Sequence, residues 1–209
     1  MKKGLFIIII LIATYINAFG FVIDGINYQA NSDGRTARVV QSTGSYKGNL
    51  KIHPTVTDVK GVKYVVTAIE ESAFYGSTEL TSIVIPSTIN TIGEGAFYNC
   101  KQLTIITLPN SVSNIGSIAF TGCDNLTTIV CQATNPPRCD GKAFSSKTYK
   151  SAKLHVPYGR SLFYMAQYEW QDFGTAIEDD PQVMNPDING DGVVDIADIN
   201  TIINVILNQ

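Results

Sequence analysis

No lysine or arginine follows Arg160, although Glu169, Asp172, Glu178, Asp179, Asp180, Asp187, Asp191, Asp195 and Asp198 all do. The whole chain holds 15 basic against 18 acidic residues. That balance argues against a nucleic-acid partner, which calls for a basic stripe. The acidic end instead suits a cation or a cationic partner. Histidine is scarce: His53 and His155 are the only two, far apart in sequence. Neither is matched by a nucleophile motif, and the chain has no Gly-x-Ser-x-Gly and no phosphate-cradling glycine loop. The four cysteines show neither CxxC nor Cys/His spacing, so a zinc site is not expected. Nothing in this inventory points to an enzyme, and no catalytic residue is assigned.

Long apolar runs are also missing, apart from one at the start. Lys2 and Lys3 precede the apolar stretch Leu5 to Ala13, which is too short to span a bilayer comfortably. Ile16-Asn17-Ala18 then supplies a small residue for cleavage. This reads as a secretory signal over residues 1–18, with an uncleaved N-terminal anchor as the alternative. Export leaves the periplasm, the cell surface and the medium open as destinations. It also permits disulfides. Cys100 and Cys123 hold equivalent positions in a repeat, and they read as buried small apolar side chains, with a disulfide as the alternative. Cys131 and Cys139 flank Asn135-Pro136-Pro137, and whether they pair is left open.

What is abundant is an echo of 23 residues. Ala73-Phe74 recurs as Ala96-Phe97 and Ala119-Phe120; Ile69 as Ile92 and Ile115; Leu80 as Leu103 and Leu126; Ile83 as Ile106 and Ile129. A fixed period of this size marks a solenoid, whose units bury their apolar faces only against one another. Each unit carries Leu-x-x-Ile-x-(Ile/Leu), the leucine-rich-repeat strand pattern, with Cys131 in the last place of the third unit. Pro86 and Pro109 end the strand, because proline cannot extend a ladder. Gly93 and Gly116 read as turn residues before the Ala-Phe segment. A degenerate unit continues through Ala143-Phe144 and Leu154-His155-Val156-Pro157. Upstream, Asp24-Gly25 and Asn31-Ser32-Asp33-Gly34 are turn signals between strand-like segments. They suggest a hairpin that covers the open end of the solenoid.

Ile-Gly-x-x-Ala-Phe-x-x-Cys-x-x-Leu-x-x-Ile-x-Leu-Pro, from Ile92 to Pro109, resembles the BspA-like leucine-rich repeats of bacterial surface and secreted proteins. Tyr64-Val65-Val66-Thr67 looks like the usual start of the first repeat. Asn135-Pro136-Pro137, Ala143-Phe144, Leu154 to Pro157, Tyr168 and Trp170-x-x-Phe173 look like the closing unit. The expected fold is mainly β: a short leucine-rich-repeat solenoid over 64–180, behind a β cap over 19–63.

After a linker over 181–186, the pattern changes. Asp187-Ile188-Asn189-Gly190-Asp191-Gly192-Val193-Val194-Asp195-Ile196-Ala197-Asp198 is a calcium-loop sequence. A hard cation takes about six to eight oxygen ligands. Asp187, Asn189 and Asp191 supply side-chain oxygens at alternate positions, and Gly192 permits the sharp turn. Val193 offers its carbonyl, Asp195 binds directly or through water, and Asp198 closes the loop. Five spaced donors with that glycine outweigh the reading as a solvated acidic turn. Ile199, Ile202, Ile203 and Ile206 follow as one helical apolar stripe. This 187–209 loop-helix tail resembles one type I dockerin repeat, which implies calcium and a cohesin-like partner. The stripe can equally dock on the solenoid or pair with a second copy.

The outward positions of the strand pattern are the natural binding face. They are Thr81, Ser82, Val84, Thr104, Ile105, Thr107, Thr127, Thr128 and Val130: uncharged, and also simply good strand formers. The expected role is non-catalytic recognition or adhesion outside the cell, toward a protein partner or a host or cell-surface ligand. The rival is a scaffolding component of a polysaccharide-degrading assembly, connected through the tail. A hydrolase with an unrecognised site, and a calcium ion that only stabilises the C-terminus, are two further readings.

Overall fold

The computed structural model describes residues 20–179. The signal-like stretch and the calcium-loop residues Asp187 to Asp198 lie outside the described residues.

The chain enters as an antiparallel meander. β1 (Gly20–Ile23) and β2 (Ile26–Ala30) form a hairpin, with Asp24 and Gly25 at φ 48° and 77°. Positive φ at both central residues matches the right-handed twist of the flanking strands. β3 (Thr36–Val39) returns antiparallel to β2. From there pairing turns parallel: β3 lies along β6 (Lys63–Ile69), and β4 (Lys47–Lys51) lies along β7 (Glu79–Val84). β5 (Thr55–Thr57) folds antiparallel onto β6.

The segment upstream of residue 64 is therefore more than a covering hairpin. Residues 36–52 make a truncated coil of the solenoid. Leu50 sits in register with Ile83, and Ile52 N–H donates to Val84 O at 3.0 Å. Tyr46 stands against Phe74, its ring centroid 4.8 Å away. The physical reason is that an exposed coil edge is best covered by a strand that continues its hydrogen bonding.

Three ladders then run along the solenoid. The first joins β3, β6, β8 (Thr91–Ile92), β10 (Asn114–Ile115) and β12 (Arg138–Cys139). The second joins β9 (Ile105–Leu108), β11 (Thr128–Cys131), β13 (Lys153–Pro157) and β14 (Ala176–Asp179), all parallel, with β4 and β7 as a separate pair. The third lies in the Ala-Phe segments. Phe74, Phe97 and Phe120 N–H donate to Ala96, Ala119 and Ala143 O, each at 2.7 Å.

Inside, the columns legible in the sequence are the core. Ile69, Ile92, Ile115, Leu80, Leu103, Leu126, Ile83, Ile106 and Ile129 are all buried. Phe74, Phe97, Phe120 and Phe144 form one stack, with centroids 5.0, 5.1 and 5.0 Å apart and planes within 10° of parallel. That spacing is close to the strand separation of about 4.8 Å, so the backbone ladder sets the ring ladder. Tyr149, Trp170 and Phe173 meet Phe144 edge-on and end the stack.

Gly93 and Gly116 serve a purpose other than a turn conformation. A Cβ on Gly93 would lie 2.4 Å from Glu71 N, and one on Gly116 would lie 2.4 Å from Glu94 N. Neighbouring coils simply approach too closely there for a side chain. Glu70 holds the same repeat position in the first unit, where Val39 at the end of β3 is the upstream neighbour and Arg38 Nε lies 3.5 Å from its carboxylate.

Replacing Phe97 with Ala leaves a void between two stacked rings. Urea denaturation should show a loss of about 3–5 kcal/mol for Phe97→Ala. An unchanged unfolding midpoint would mean that the stack contributes nothing.

Candidate recognition surface

The strand pattern places alternate side chains on opposite sides of the chain. Its Leu and Ile positions point inward, so the remaining positions face solvent. Thr81, Ser82, Val84, Thr104, Ile105 and Thr127 are exposed, and Thr107, Thr128 and Val130 are half-buried. Ile105 is 53% exposed, the largest apolar surface among these nine residues.

The structure groups these nine residues unevenly. Ile105 pairs with Thr128, and Thr107 with Val130, on β9 and β11. Thr127 N–H donates to Thr104 O at 2.9 Å just before those strands. Thr81, Ser82 and Val84 lie on β7, which belongs to the other sheet. Two of those hydroxyls are engaged internally: Thr81 Oγ1 and Ser82 Oγ donate to Asn49 Oδ1, at 2.7 and 2.8 Å.

The face also extends beyond the sequence-read residues. His155 on β13 pairs with Val130 and with Ile177 on β14, which adds two positions to the Thr107–Val130 row. Lys153 pairs with Thr128, and Lys51 with Val84, so a lysine adjoins the uncharged residues on each of the two sheets. His155 was legible as the outward residue between Leu154 and Val156. Ile177 carried no repeat signal. A second surface feature pairs an exposed tyrosine with a half-buried one. Tyr75 and Tyr98, one repeat apart, stack at 5.1 Å on the Ala-Phe side.

The thiols are structural. Cys100 Sγ donates to Phe74 O at 3.3 Å, and Cys123 Sγ to Phe97 O at 3.0 Å, each reaching back one coil. They are buried as expected, yet they act as donors and not only as small apolar filling. Ser77 fills the same place in the first unit, its Oγ accepting from Tyr46 N–H at 3.1 Å. All four cysteines are free thiols in the structure, Cys131 and Cys139 included. The Cys123 thiol beside it and burial push the Cys100 thiol well above its ordinary range. Burial raises Cys131 strongly and lifts Cys139 to about 12. A thiol held protonated at neutral pH is a poor nucleophile. His53 is occupied elsewhere, with Nε2 2.7 Å from Asp24 Oδ2 in the cap. Among the described residues no group of three or more His, Cys, Asp or Glu is placed to hold a metal ion.

Stacked parallel coils with a buried Leu/Ile lattice and an outward strand face define a leucine-rich-repeat solenoid. Residues 63–166 match the model of the BspA type leucine rich repeat region in six copies, more than the three clear units of the sequence pattern. This stretch is therefore a BspA-type leucine-rich-repeat region. A leucine-rich repeat protein from Bacteroides ovatus is similar at 33% identity and a TM-score of 0.53, covering 65% of this chain and 40% of that one. One from Bacteroides capillosus is similar at 27% identity and 0.52, covering 60% and 94%. A leucine rich cell surface protein from Faecalibacterium prausnitzii is similar at 26% identity and 0.50, covering 68% and 38%. The chain thus spans nearly all of one of these proteins and about two fifths of the other two. No curated protein matches it. Among the described residues no helix is long and apolar enough to cross a membrane.

The buried Cys100, Cys123 and Cys131 should stay unmodified by an aromatic disulfide reagent in the folded protein and react in denaturant. Rapid reaction of any one of them in the native state would contradict the structural assignment.

Proposed function

We propose that the protein is an exported, non-catalytic recognition or adhesion protein that grips a protein or a host or cell-surface ligand with its strand face. The carrying observation is the paired row of uncharged, outward side chains on β9 and β11, exposed Ile105 with half-buried Thr128, and half-buried Thr107 with Val130. Such a face costs little to desolvate, and a stack of coils holds it rigid, so little ordering entropy is lost on binding. Leucine-rich repeats generally mediate protein–protein contacts, and one similar protein is described as a cell surface protein. The signal-like residues 1–18 support export. The thiols of Cys100, Cys131 and Cys139, raised above their ordinary range, are poor nucleophiles, which supports binding over turnover.

Converting Ile105 and Thr107 to Arg should leave stability within about 0.5 kcal/mol, as for surface positions. Capture of partners from host-cell surfaces or from the bacterial envelope should fall at least about tenfold, a loss typical of charge placed in an apolar contact. Equal capture by wild type and variant would overturn the strand-face reading.

The C-terminal loop is proposed to bind calcium through Asp187, Asn189, Asp191, the Val193 carbonyl, Asp195 and Asp198. The spacing of the donors around Gly192 supports this. Asp191→Ala should abolish the calorimetric signal of calcium binding, and an unchanged affinity would sink the assignment. The dockerin-like sequence also favours a second reading, in which the tail connects the protein to a cohesin-like partner in a polysaccharide-degrading assembly. Calcium-dependent capture that is lost on deleting residues 181–209 distinguishes that role from adhesion through the repeats.

A further inference from the structure

A cleft of about 420 Å³ opens in the closing unit, away from the strand-face residues. The Asn135-Pro136-Pro137 turn forms one wall, and the segment from Phe163 to Trp170 forms the other. Two hydrogen bonds lock the walls together: Trp170 Nε1 donates to Pro137 O at 2.8 Å, and Tyr164 Oη donates to Ala133 O at 2.7 Å. The cleft is therefore held open by a rigid frame.

Its chemistry is unbalanced. Glu169 lines it and is only 9% exposed, and its Oε2 is enclosed and accepts no hydrogen bond. A buried acceptor without a donor pays a desolvation cost that nothing in the described chain repays. The nearby bases are already committed. Arg138 itself lines the cleft, with Nε 3.1 Å from Asp140, and Lys142 Nζ donates to Asp172 at 2.8 Å. Arg160 lies over the Phe163 ring, 5.1 Å from its centroid. Among the described residues Glu169 forms no ion pair, although its charge reaches Lys142, whose first partner is Asp172. Around it stand three aromatic residues: Phe163 and Tyr168, 51% and 72% exposed, and the buried Trp170.

We propose that this cleft is a binding site for a cationic side chain of a protein partner, with Glu169 as the counter-charge and Phe163, Tyr168 and Trp170 as the aromatic walls. An ammonium group brings a donor together with a positive charge for the carboxylate, and aromatic faces attract cations. A sugar hydroxyl supplies the donor without the charge, which makes the lysine-like ligand the better fit. The site is independent of the strand-face reading, and its failure leaves that reading standing.

Trp170 is the only tryptophan in the chain, so its emission reports directly on the cleft. The full-length protein should be titrated with Nα-acetyl-lysine amide, with its Nε-acetylated counterpart and with a neutral oligosaccharide. The expected result is a saturable change with the lysine probe, weakened by salt, and at least about tenfold weaker binding of the acetylated probe. Glu169→Gln, checked for an unchanged melting curve, should bring the lysine probe down to the acetylated level. Tyr168→Ala, at an exposed position, should weaken the probe several-fold and keeps the test decisive if Glu169→Gln fails to fold. Absence of a saturable response, equal binding of both lysine probes, a response to the oligosaccharide alone, or full binding by a folded Glu169→Gln protein would each overturn the proposal.

Discussion

The phenylalanine stack is the constraint on which the rest depends. Rings at equivalent positions stay nearly parallel only if every coil advances by one strand spacing with little rotation. The same advance aligns the three hydrogen-bond ladders and the Leu and Ile columns. It also makes Gly93 and Gly116 necessary, because coils at this separation leave no room for a Cβ where their backbones meet. The two ends of the stack show how such a repetition is stopped. Tyr46 tilts against one end, and at the other Tyr149, Trp170 and Phe173 present their edges to Phe144.

Function in this architecture rests on what the coils leave outside. Burial of Leu and Ile on one side of each strand forces Ile105, Thr107, Thr128 and Val130 outward in register. The thiols serve the inside: each of Cys100 and Cys123 satisfies a phenylalanine carbonyl in the coil before it. The closing unit does two things at once. Its aromatic residues end the stack, and the same segment forms one side of a cleft with an unbalanced carboxyl group.

The interior was legible in the sequence because every coil offers its neighbours the same environment. Ile69, Phe74, Leu80 and Ile83 thus had to repeat at one period. The truncated coil at residues 36–52 was not legible, because Tyr46 replaces the phenylalanine and only the Leu50 and Ile52 positions keep the strand pattern. Gly93 and Gly116 were visible as glycines, but their purpose is a close approach between coils, which a single-chain pattern does not display. The outward strand positions followed from alternation alone. Their split between two sheets did not, nor did the continuation through Ile177. The cleft was invisible because it joins Pro137 to Trp170 across 33 residues, with no periodic relation between them. The calcium-loop residues were read from spacing alone and lie outside the described structure.

The central claim is that stacking binds the coils into one cooperative unit that holds the outer face rigid. Residue-resolved native-state hydrogen exchange tests it most directly. The amides of Phe74, Phe97 and Phe120 each donate to the following coil at 2.7 Å. If the stack couples the coils, the three exchange through one common opening with the same free energy, near that of global unfolding. Three distinct opening energies, falling from the middle coil outward, would show coils that open one at a time and would contradict the account.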